Sequence, residues 1–173
     1  MKRPTADRRA LTLLELVLAA SMLSVLMLSV GVVLRGGRQA WEAHSGDFVQ
    51  LNALHATVRH IVRQVRQASS VSEITAASNT AGRMGLNMSD GSVVVWSRDS
   101  TTNKVNYGVT TPSSLLAENI SSLKFTGYKA DGVTTTTTPS DIQLLLIEAS
   151  TTLSRETNAT KTVQSWAWLR SWQ

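Results

Sequence analysis

The sequence predicts an α+β fold, in which one long amino-terminal helix packs on an antiparallel β-sheet head. Three observations predict it. Apolar residues run almost unbroken from Ala10 to Leu34. Apolar residues then recur at helical spacing as far as Val65. Beyond Ser69, short apolar runs alternate with clusters of Ser, Thr, Asn and Gly, the texture of a β-meander. The chain has 173 residues, enough for one modest domain with an added segment. The elements divide it into a leader (1–10), a transmembrane helix (11–35), an amphipathic continuation (36–68) and a β-rich head (69–173).

The apolar segment comes first. From Ala10 to Leu34 the only charge is Glu15, and Leu16 to Leu34 is a run of 19 uncharged residues. A helix needs about 20 such residues to cross a bilayer. Lys2, Arg3, Arg8 and Arg9 precede the run, so the positive-inside rule places the amino terminus in the cytoplasm and the head across the membrane. Arg35 and Arg38 at the exit weigh the other way but are fewer. A cleaved secretory signal fits less well. A cut at Ala19-Ala20-Ser21 strands the apolar run Met22 to Val33 on the mature chain. An uncleaved anchor accounts for the run but not for Glu15. A carboxylate within a membrane helix costs on the order of 3 kcal/mol by insertion scales.

The formal charge is +5 and the isoelectric point is near 10.1. The first ten residues carry a net +3, which leaves +2 for the rest, so no nucleic acid is expected on the head. Cysteine is absent, which excludes disulfides, thiolate zinc sites and cysteine nucleophiles.

The helix is expected to continue past the membrane. Trp41, Phe48, Leu51, Leu54, Val58, Ile61, Val62 and Val65 follow one another mostly at steps of three and four, one stripe of a buried face. Gln39, Glu42, Gln50, Arg59, Arg63 and Arg66 fall mainly on other faces. The arginine run reads as a solvated face, with subunit contact through opposite charges as its functional alternative. No proline lies between Leu11 and Ala68, so bends are expected only at Gly31, Gly36-Gly37 or Gly46. His55 and His60 are about 140° apart around a helix and do not converge on a metal. With His44 they read as surface or packing residues.

In the head, candidate strands are Gly82–Met88, Ser92–Arg98, Lys104–Val109, Ser122–Tyr128, Ile142–Ser150 and Thr162–Trp172. Asp90-Gly91 is a hairpin turn signal, and Asp99–Asn103 is a second turn. Leu115–Ile120 reads as a short strand or a helical turn, and Thr134–Thr138 with Pro139 as an exposed loop. Trp166, Trp168 and Trp172 share a parity and are expected to pack one sheet face against the helix, with a ligand-binding aromatic patch as the alternative. Phosphate loops, nucleophile elbows and paired carboxylates at a readable spacing are missing, so no enzyme activity and no cofactor is expected. Asp131-Gly132 and Asp141 lack the run of oxygen ligands a calcium loop needs, so no metal is assigned.

The segment Arg9-Ala10-Leu11-Thr12-Leu13-Leu14-Glu15-Leu16 resembles the class III signal of type IV pilins and type II secretion pseudopilins. That signal is a short basic leader ending in Gly, then Phe-Thr-Leu-x-Glu and a long apolar helix. The resemblance implies a cut by prepilin peptidase between Ala10 and Leu11, N-methylation of Leu11, and Glu15 as the fifth mature residue, where the family places its glutamate. Ala10 stands where the family has Gly, and Leu11 where it commonly has Phe. Thr12 and Glu15 also have the spacing of a helix capping box. A second, shorter likeness, Leu115 to Ile120 followed by Leu123 to Tyr128, resembles J-type pseudopilins and PilW-like minor pilins. The family reading implies a minor pseudopilin or minor pilin. Its partners would be prepilin peptidase, other pilins and pseudopilins, the inner-membrane assembly platform and membrane lipid. It would sit in the inner membrane with a periplasmic head before entering a filament. The alternatives are a bitopic membrane protein whose β-rich head binds a ligand or partner without polymerising, and an anchored enzyme.

Overall fold

The computed structural model describes residues 12–153 and 159–170. Ala10, Leu11 and Trp172 lie outside these. The chain divides into two compact units, Met1–Glu42 and Ala43–Gln173. One helix, α1 (Leu13–Val65), contributes to both.

The first unit holds the apolar part of α1. The helix runs without interruption through Gly31, Gly36, Gly37 and Gly46, the glycines named as possible bends. The side chains of Ser21, Ser24 and Ser29 donate to the carbonyls of Leu18, Ser21 and Leu26 at 2.7–2.8 Å. Each hydroxyl is thereby satisfied within the helix, as a hydrocarbon surrounding requires.

In the second unit, the carboxy-terminal part of α1 buries Leu54, Val58, Ile61 and Val65, a stripe with steps of four, three and four. The stripe begins later than the sequence periodicity suggests, because Trp41 and Phe48 are exposed. The helix also ends three residues earlier than Ala68. Arg66 N–H still bonds the Val62 carbonyl, and Gln67 N–H tightens onto Gln64. Ala68, fully buried, then opens a strand.

The head contains two antiparallel sheets rather than one. The first is a meander of β1 (Ala68–Ile74), β2 (Arg83–Met88), β3 (Val93–Asp99), β4 (Lys104–Val109) and β5 (Ser114–Ala117), in that order. Asp90-Gly91 closes the β2–β3 hairpin. Gly91 takes φ +83° and Asp90 Oδ1 accepts from the Ser92 amide at 2.9 Å, so the turn uses glycine's left-handed freedom. Asp99 caps the second turn by accepting from Thr101 N–H and the Thr102 hydroxyl.

The second sheet has the order β7-β6-β8-β9, from β6 (Ser122–Tyr128), β7 (Thr135–Thr136), β8 (Leu144–Thr152) and β9 (Thr160–Trp168). The expected Thr134–Thr138 loop thus contains a two-residue strand on β6, followed by a 3-10 turn at Pro139–Asp141. Leu123 and Phe125 from β6, and Leu145, Ile147 and Ala149 from β8, join Met84, Leu86, Trp96 and Val105 of the first sheet and the helix stripe in one core. Burying each large side chain contributes about 1.5–3 kcal/mol.

One junction ties the sheets together, and a buried arginine anchors the link between them. Leu123 N–H bonds the Thr80 carbonyl and Gly82 N–H bonds the Leu123 carbonyl, both at 2.9 Å, forming a parallel bridge between residues 81 and 123. A Cβ on Gly82 would stand 2.5 Å from the Leu123 oxygen, so the approach requires glycine. Arg98, buried on β3, donates to the Ile120 carbonyl at 2.6 Å, to Asn103 Oδ1, and more distantly to the Thr80 carbonyl.

The tryptophan expectation is corrected. Trp166 and Trp168 do share a face, but it is the outer one, and they are 45% and 54% exposed. Ala167, of opposite parity, is the residue buried against the core, with Val163 packed beside it. Trp166 instead lies against Tyr128 on the outer face, with ring centroids 5.0 Å apart.

Candidate functional site: an uncovered apolar helix headed by Glu15

Thr12 precedes the first helical residue, and Glu15 is the third residue of α1. Their side chains cap the helix reciprocally. The Thr12 amide donates to Glu15 Oε2 at 3.2 Å, and the Glu15 amide donates to Thr12 Oγ1 at 3.3 Å. The Thr12 hydroxyl adds a bond to the same carboxylate oxygen at 3.3 Å. This is the Thr-x-x-Glu box expected from the spacing, and it satisfies donors that a helix start otherwise leaves open. It also places a negative charge at the positive end of the helix dipole.

Behind Glu15 the helix presents apolar residues on every side. Leu16, Leu18, Met22, Leu26, Val30 and Val33 are all exposed. An 18-residue window of α1 has mean hydropathy 2.5, and none of it is buried within the protein. A core helix of similar composition would be covered by its own chain. This one is long and apolar enough to span a membrane near the amino terminus. Glu15 sits at its edge, bonded to Thr12.

The other singled-out groups have local roles. Asp131 accepts from Val133 N–H, Thr134 N–H and the Thr134 hydroxyl, and Asp141 pairs with Lys129 at 3.4 Å. Asp131 is thus engaged by its own turn, while Asp141 reaches across to Lys129 beside that turn. His60 packs edge-on against Trp96 and Tyr107, and its Nδ1 faces Trp96 Nε1–H at 3.4 Å. His55 is exposed. Among the described residues, no three His, Asp or Glu side chains converge as a metal site would require.

The helix also carries a second feature that its sequence read as a plain solvated face. Arg59, Arg63 and Arg66 border a cavity of about 490 Å³ with Val58, Val62, Gln67 and, from β9, Ser165. The missed signal was Ser165, whose neighbourhood with the helix depends on sheet order and not on local pattern.

Compared with protein-family models, curated proteins and solved structures, the chain matches none.

Proposed function

We propose that this chain is a pilin-like subunit of the pseudopilin or minor-pilin kind. It would be inserted in the inner membrane with its head in the periplasm, cut by prepilin peptidase between Ala10 and Leu11, methylated on Leu11, and assembled into an envelope filament. The observation that carries the reading is the uncovered apolar helix with one carboxylate, Glu15, at its head, joined to an α+β head. The physical logic is charge pairing. A cut before Leu11 would create an ammonium at the edge of an apolar core, and stacking of subunits would bury it. An unpaired buried charge is costly and a paired one is tolerated, so a neighbour's Glu15 would set the axial register.

The reciprocal Thr12–Glu15 bonding supports a second reading, a non-polymerising membrane anchor in which Glu15 only caps its own helix. Two measurements separate the readings. Intact mass of the membrane-extracted protein should show loss of ten residues and gain of a methyl. A mature chain that starts at Met1 or Met22 rejects the filament reading. Glu15→Gln is the sharper variant. Glutamine preserves a capping box but removes the charge. The filament reading expects Glu15→Gln and Glu15→Val both to insert, be cut and fail to co-purify with filament partners. The anchor reading expects Glu15→Gln to behave as the parent.

A further inference from the structure

We infer that the groove between α1 and β9 receives an extended, acidic polypeptide segment of a partner protein, which adds as a strand to the free edge of β9. This does not depend on the filament reading.

The first observation is the edge itself. β9 ends its sheet and pairs with β8 in uninterrupted register from Leu144↔Trp168 to Thr152↔Thr160. Among the described residues, no strand pairs with its other side. Natural edge strands are usually short, bulged, broken by proline or heavily charged. β9 has nine residues, no bulge, no proline and one charge, Lys161. Among the described residues, no strand takes up the amides and carbonyls on that side, the groups that strand addition uses.

The second observation is the helix surface beside β9. Ser165 of β9 lines the groove, Val58 and Val62 supply aliphatic surface, and Arg59, Arg63 and Arg66 border it. All three arginines are exposed, and among the described residues none has a carboxylate within ion-pair distance. At spacings of four and three they share one helix face, where like charges repel. They span about 10 Å along the helix. Side chains on one face of an extended strand recur about every 7 Å, so two acidic residues at alternate positions fit that span. Guanidinium groups hold carboxylates through paired hydrogen bonds.

Charge selects the occupant. A second copy pairing edge to edge through β9 would bring two sets of arginines together. A nucleic acid would satisfy the arginines but leave the strand edge and the valines unused, and the groove lining holds no aromatic ring for a base to stack on. An acidic strand uses the edge, the aliphatic surface and the arginines together.

The test uses the full chain in detergent micelles and a labelled nine-residue peptide of alternating Glu and Val. The peptide should bind, and should protect β9 amides from hydrogen exchange. A peptide of the same charge with alternate valines replaced by proline should bind about tenfold more weakly or worse, as should the parent peptide to Arg63→Gln or Arg59→Gln. A Lys-Val peptide should not bind. Arg63→Gln keeps an exposed polar side chain, and an unchanged circular dichroism spectrum checks its fold. The inference is overturned if the Glu-Val peptide fails to bind, if the proline peptide binds equally well, or if the arginine variants bind like the parent. It is also overturned if oligothymidylate binds in place of the peptide, or if sedimentation shows β9-dependent dimers that exclude the peptide.

Discussion

Replacing Arg98 with methionine tests how the segment that links the two sheets is anchored to the first. The guanidinium is buried, and burial lowers its pKa, an effect the neighbouring Asp99 carboxylate partly opposes. Its bonds go to the Ile120 carbonyl and to Asn103 Oδ1, with Thr80 at 3.5 Å too distant to count for much. Two hydrogen bonds from a charged donor contribute roughly 3–6 kcal/mol together. Removing the charge returns part of its desolvation cost, while the Ile120 carbonyl loses its donor in a buried setting. The net expectation is a loss of about 2–4 kcal/mol. For a unit the size of Ala43–Gln173, that lowers the midpoint by on the order of 10 °C. Thermal unfolding of the full chain in micelles, followed by fluorescence of the fully buried Trp96, reads it directly. Arg98→Lys should fall between, because an ammonium reaches one of two divergent acceptors. A midpoint for Arg98→Met within about 2 °C of the parent would mean that desolvation cancels the bonds, and would refute the account.

Gly127→Ala should cost about 1–3 kcal/mol by overpacking, because the new Cβ would lie 2.7 Å from Ile142 Cδ1 and 2.8 Å from the Thr136 carbonyl; a shifted urea midpoint at constant slope checks it. The Asp131 pKa is lowered to about 2, first by the Thr134 hydroxyl and then by the Val133 and Thr134 amides. Its folded value lies below the unfolded one near 3.8, so the contribution is full above that value and is lost as pH falls towards 2. An NMR titration of the Asp131 carboxyl should find that depressed value, and Asp131→Asn should flatten the acid limb of the stability profile. A fragment beginning at Ala43 should be soluble and unfold cooperatively, since the second unit closes its own core; a disordered or wholly helical circular dichroism spectrum would count against that.

The parts of the fold legible in sequence were those set by local pattern. The apolar run, the Thr12–Glu15 cap, the Asp90-Gly91 turn and six strands all depend on periodicity or on one turn residue. What failed depended on partners distant in sequence. Alternation placed Trp166 and Trp168 together but could not say which face was covered. Thr160, Thr162 and Gln164 share their parity and are all exposed, a polar signal that favoured the outside. Ala68–Ile74 is not among the candidate strands, yet forms one because β2 lies beside it. The stripe from Trp41 has the right period, but burial begins only where the sheets supply cover. The division into two sheets was not legible, because it occurs between β5 and β6 without a strong local break. Of the candidate site, Glu15 and its cap were readable, whereas the groove beside β9 was not, because it exists only once Ser165 is brought to the helix.

The contact between Thr80–Gly82 and Leu123 has a kinetic meaning as well. Leu123 belongs to β6 and packs in the shared core, while the 80–82 segment leads directly into β2. Neither sheet can therefore open at this seam without exposing the hydrophobic interior of the other. Amides at Gly82 and Leu123 belong among the slowest to exchange, released only when the whole head opens, whereas β7, held by two residue pairs at its sheet's edge, can detach alone. The head should accordingly behave as a single cooperative foldon with one loose margin, and a proteolytic nick would find the Thr134–Thr138 loop before it found the seam.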